Sequence, residues 1–121
     1  NARMSEGLYR TSKERREDPT LEFLYRSAGP VWYRGMVCTD EKYDPLTPEQ
    51  TDALLRRYDA DRLLVGHTIF PDISTFHDGR VIAVNVQNER NRRKNRGRAV
   101  LIEGSRISVV GNRGVKRVLE E

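Results

Sequence analysis

The sequence predicts a mixed α/β fold, α+β in character, with one capped helix followed by about five mostly antiparallel strands. Three observations carry this. Thr47-Pro48-Glu49-Gln50 is a helix start: Thr47 can cap, Pro48 suits the first helical position and Gln50 can reach back as in a capping box. His77-Asp78-Gly79 lies between the apolar runs 73–76 and 80–84, and Asp-Gly between such runs signals a hairpin. Gly104-Ser105 separates 99–103 from 106–110 in the same way.

The helix should run to about Tyr58, with Leu54, Leu55 and Tyr58 on its buried face. Arg62-Leu63-Leu64-Val65, ending at Gly66, reads as a short central buried strand. Residues 1–20 are crowded with charge and read as a frayed helix or a connecting arm that contributes little core. Asn1-Ala2 resembles a cleaved tag remnant, which implies that the natural start is missing. Residues 21–121 form the domain portion.

At 121 residues, 36% hydrophobic and 33% charged, the chain can build one modest core, or is part of a larger protein. No apolar run approaches the ~20 residues of a membrane span, so no membrane partner is expected. The single Cys38 precludes an internal disulfide and points to a reducing, cytoplasmic compartment. The net charge of +4 belongs to one stretch. From Glu89 to Arg98, six basic residues face one acid, and the rest of the chain is net −1. Without interleaved aromatics this run lacks a base-stacking platform. It reads as a solvated loop, or as a lure for anionic substrates, and nucleic acid is not an expected partner.

The chemistry centres on Leu63-Leu64-Val65-Gly66-His67-Thr68. A strand there delivers Gly-His at its C-terminal end, where α/β sheets place ligands. A lone histidine in that position is either a satisfied polar residue or a ligand. Arg34, in Val31-Trp32-Tyr33-Arg34-Gly35, is either a surface arginine beside a core tryptophan or a fork for an anion. His77, at a hairpin turn, reads as a solvated turn residue.

The order Trp32-Tyr33-Arg34-Gly35, capped helix, Val65-Gly66-His67-Thr68 and hairpin resembles the C-terminal part of calcineurin-like metallophosphoesterases. The branch is that of bacterial phosphoprotein phosphatases and diadenosine tetraphosphatases, and the likeness covers about residues 29–86. It implies part of a β-sandwich flanked by helices and a phosphoesterase using two divalent metal ions (Mn, Fe or Zn). His67 would be a metal ligand and Arg34 would hold the substrate phosphate. Asp-x-His, Gly-Asp-x-x-Asp-Arg-Gly and Gly-Asn-His-Glu segments do not occur, and Asn85 stands where the family usually has aspartate. The resemblance therefore implies that the chain alone is inactive, completed by a missing N-terminal half of its domain. An edge left open by that loss would promote self-association. The alternative is a small basic nucleic-acid-binding or β-rich interaction module.

Overall fold

The computed structural model describes residues 1–120, without the side chains of Val115, Lys116 and Glu120. It is a mixed α/β structure in which the described residues form five α-helices and two three-stranded sheets. They divide into two compact units, Asn1–Leu46 and Thr47–Glu121. No helix among them is long and apolar enough to cross a membrane.

In the first unit the charged segment folds as α1 (Ala2–Leu8), α2 (Ser12–Glu17) and α3 (Pro19–Tyr25). Thr11 and Glu14 close a capping box on α2. The Asp18 carboxylate accepts from the N–H groups of Thr20 at 2.9 Å and Leu21 at 3.1 Å, and Pro19 occupies the first position of α3. These caps satisfy donors that short helices would otherwise leave open. Leu21 is the buried apolar anchor. Gly7 is buried because the Tyr25 ring lies where a Cβ would project. The Tyr25 hydroxyl donates to the Met4 carbonyl, and the Arg15 guanidinium sits 4.4 Å above the Tyr25 ring.

The second unit opens with α4 (Pro48–Arg57), whose capping box forms as the sequence requires. The Thr47 hydroxyl accepts from the Gln50 N–H at 3.2 Å, while Gln50 Oε1 accepts from the Thr47 N–H at 2.8 Å. Thr47→Ala should therefore cost about 1 kcal/mol of stability in urea unfolding. The buried face differs from expectation. Leu55 is buried, but Tyr58 caps the C-terminus and is 69% exposed. Thr51 is fully buried instead, its hydroxyl donating to the Thr47 carbonyl at 3.0 Å.

Strands β1 (Leu63–Val65), β2 (Ser74–Phe76) and β3 (Val81–Ala83) form a sheet in the order β1-β3-β2. β1 runs parallel to β3, and β2 antiparallel to it. Thus β1 is an edge and not a central strand, which leaves Leu64 47% exposed. The β2–β3 turn places Asp78 and Gly79 at φ 53° and 83°, with the Arg80 N–H donating to the His77 carbonyl at 3.1 Å. Positive φ at both central residues gives the twist a tight hairpin needs.

After α5 (Asn88–Arg93), strands β4 (Arg98–Glu103), β5 (Arg106–Gly111) and β6 (Gly114–Glu120) make an antiparallel meander. Ile73 and Ile82 from the first sheet region, Val86, and Ile107 and Val109 of β5 pack into one core, flanked by Val84, Val100 and Leu119.

Candidate functional site

His67 occupies a strained turn just past β1. Its φ is +69°, and the Thr68 N–H donates to the Gly66 carbonyl at 2.9 Å. A bond spanning three residues around a positive φ is the rarer form of γ-turn, unfavourable for a residue with a Cβ. Glycine is the residue that ordinarily supplies turning freedom at such a place. The strain instead falls on His67, and a Cβ on Gly66 would meet open space.

The surroundings hold the turn in place. The Val84 N–H donates to the Val65 carbonyl at 2.9 Å, and the Phe70 N–H to the Asn85 carbonyl at 3.0 Å. Between them, Asn85 Nδ2 donates to the His67 carbonyl at 3.1 Å. Phe70 and Val86 form a further parallel bridge. The segment after β3 thus fixes both sides of the loop while the His67 residue stays exposed. A strained conformation persists only where neighbours over-determine it, and such sites concentrate where function needs a preset group. The loop also lies at the C-terminal end of a parallel strand pair, the usual ligand end. Asn85 was noted only as a departure from a family pattern. Its amide N–H is what a carboxylate could not supply to the His67 carbonyl.

In the first unit, Arg34 follows an irregular segment and opens a tight turn. Its carbonyl accepts from the N–H groups of Val37 at 3.0 Å and Cys38 at 2.9 Å. Its guanidinium lies 5.9 Å from the centre of the Tyr43 ring, within cation–π range. The neighbouring backbone is tightly held. The Tyr33 hydroxyl donates to the Asp44 carbonyl at 3.1 Å, and the Leu46 N–H donates to the Gly35 carbonyl at 3.0 Å. Gly35 is buried because a Cβ there would lie 2.7 Å from the Asp44 carbonyl oxygen. Burial, and then the Asp44 charge, push the Tyr33 phenol above its ordinary pKa. Trp32 is no core residue, being half exposed. His77 sits at φ 51° in the β2–β3 hairpin, as a turn residue.

No family model matches the chain, and no curated protein matches it. Solved structures do. A cold-active protein tyrosine phosphatase matches with a TM-score of 0.64 and 25% identity, covering 89% of this chain and 30% of that one. The cold-active protein-tyrosine phosphatase of a psychrophile, a Shewanella species, matches with the same TM-score at 26% identity over 90% of this chain. An isoleucine-to-methionine mutant of a cold-active protein tyrosine phosphatase gives the same values. The chain therefore shares the fold of part of those structures and spans about 30% of their length.

These findings correct the family reading. The matching structures are named protein tyrosine phosphatases, and none bears the name of a calcineurin-like metallophosphoesterase. The two divalent metal ions (Mn, Fe or Zn) expected from that resemblance lose their support with it. The residues present do not fit such a pair either. Among the described residues no group of three His, Cys, Asp or Glu could hold a metal, and His67 brings a single imidazole to its turn. A dinuclear site needs several ligands, carboxylates among them, to offset the charge.

Proposed function

We propose that this chain is part of a phosphatase that hydrolyses phosphate monoesters of the phosphotyrosine type, and that His67 and Arg34 each serve its phosphate chemistry. The observation that carries the reading is the strained, fixed turn that holds His67 at the ligand end of β1. The named activity of the matching solved structures supports the ester class.

In hydrolysis the P–O bond to the leaving phenol breaks, a new P–O bond forms to the oxygen of water, and the phenolic oxygen gains a proton. Negative charge is spread over the phosphoryl oxygens as this happens. An imidazole N–H fixed in place before the reaction can hydrogen-bond one of those oxygens without reorganising. The Arg34 guanidinium, a planar fork with five donors, suits bidentate contact with phosphate oxygens. The Tyr43 ring beside it limits the directions the fork can take. The expected self-association belongs to the open edge of β1, where Leu64 is exposed.

The test is hydrolysis of phenyl phosphate by the protein carrying this chain, with Arg34→Lys beside the parent. Lysine keeps the charge but loses the fork, so kcat/KM should fall roughly tenfold, the value of about one charge-assisted hydrogen bond. Unchanged kinetics would remove Arg34 from the reading, and no hydrolysis of any phosphate monoester by the parent would remove the reading itself.

A further inference from the structure

A second feature of the Thr47–Glu121 unit lies apart from the His67 turn. Lys94, Asn95, Arg96, Arg98, Asn112 and Arg113 line a cleft of about 220 Å³, with four cations and no carboxylate in its wall among the described residues. Three local devices build it. Helix α5 ends with Asn95 at φ 52°, the Arg96 N–H donating to the Asn91 carbonyl at 2.7 Å and the Asn95 N–H to Arg92 at 3.0 Å. That is a Schellman ending with asparagine in the left-handed position, and it fixes the backbone of Lys94, Asn95 and Arg96.

Across the cleft, the Asn112 amide donates to the Asn95 side-chain oxygen and ties the β5–β6 turn to the end of α5. Gly97 permits this approach, because a Cβ there would lie 2.5 Å from Asn112 Oδ1. Arg98 is held by its Nε, 3.2 Å from Asp72 Oδ1. Asp72 therefore offsets one of the four positive charges, whereas Lys94, Arg96 and Arg113 have no ion pair among the described residues. Glu89, the other acid near this stretch, pairs with Arg93 outside the cleft.

Solvated cations of one sign repel each other, so a fixed concave group of them gains most from an anion that bridges several. The size limits which anion. Pockets that enclose whole small molecules run to roughly 300–1,000 Å³. This cleft has room for about seven waters at ~30 Å³ each, more than one tetrahedral anion fills.

We propose that the cleft is an anion site that seats a diphosphate group, supplied either by inorganic pyrophosphate or by the phosphate end of a nucleoside diphosphate. Lys94, Arg96 and Arg113 bind the oxygens, and the two asparagine amides hold the walls in place. This inference is independent of the His67 turn.

Calorimetric titration of the whole protein with inorganic pyrophosphate, and separately with a nucleoside diphosphate, provides the test. Saturable one-to-one binding of pyrophosphate is expected, with Lys94→Ala and Arg113→Ala each weakening it at least about tenfold. Arg92→Ala and Arg93→Ala, in the same basic run but outside the cleft, should leave it unchanged. Equal affinity for both ligands would assign the site to the diphosphate alone. Tighter binding of the nucleotide would assign it to the nucleotide's diphosphate end. Because all four positions are exposed, unchanged circular dichroism is expected and separates lost binding from lost folding. Equal losses in all four variants would mean diffuse attraction and overturn the proposal. So would single-stranded RNA binding that pyrophosphate fails to displace.

Discussion

His67→Gly should abolish most of the activity without weakening the fold. The native φ of +69° is unfavourable for histidine by roughly 1–2 kcal/mol and costs glycine nothing. Against this relief stands the greater freedom of glycine in the unfolded chain, worth about 0.4–1 kcal/mol. The two nearly cancel, with the balance toward stabilisation, so urea unfolding should give a midpoint equal to or above that of the parent. Phenyl phosphate hydrolysis should nevertheless fall about 100- to 1,000-fold, as when one preset donor to a developing oxyanion is removed. Stability bought with lost function marks a residue kept in strain for its side chain. A variant that is strongly destabilised, or that keeps its activity, would make His67 an ordinary turn residue.

Ile82→Ala should be the most damaging of the core substitutions in its effect on stability. Ile82 is 1% exposed, at the centre of β3, between the edge strand β1 and the hairpin partner β2. It packs in the cluster formed with Ile73, Val86, Ile107 and Val109. Truncation there removes buried methyl and methylene groups and leaves a cavity that a short three-stranded sheet closes poorly. A loss of about 2–5 kcal/mol is expected in urea unfolding. For a unit this small, that is a large share of total stability. Since β3 also leads into Val84 and Asn85, which pin the His67 turn, amide exchange at Thr68 should quicken in the same variant.

Much of the Thr47–Glu121 unit was legible because its signals are local. The Thr47 capping box and the Asp78-Gly79 turn each depend on backbone donors and dihedrals within four residues. For the N-terminal segment the sequence left a frayed helix and a connecting arm both open, although Thr11-x-x-Glu14 and Asp18-Pro19 are cap signals of the same kind as Thr47-Pro48, and the structure forms three helices there. Their apolar content is sparse, so no helical period emerged, and one leucine with a tyrosine over a glycine supplies the contact instead. β6 was missed because its pairing with β5 shifts register twice, which breaks the alternation that marks a strand. α5 was hidden by its charge.

At the candidate site, the sequence pointed to Gly66-His67 but did not show the strain on His67 and gave Asn85 no part in it. A γ-turn held by a side-chain amide 18 residues away has no local signature. The edge position of β1 was equally hidden. The run Leu63-Leu64-Val65 looks the same whether one neighbour or two pair with it, and only the topology leaves Leu64 exposed. The family assignment failed differently. It rested on short motifs, which carry chemistry but fix neither a fold nor a cofactor.

The most direct measurement uses the fact that the chain has only two histidines. Imidazole NMR resonances followed during titration with phenylphosphonate, a non-hydrolysable phosphate ester analogue, separate the two. The account predicts that the His67 signals shift and saturate while those of His77, in the β2–β3 hairpin, stay where they are. Signals from both histidines that remain still, or that drift together with added salt, would contradict the assignment of His67 to phosphate chemistry.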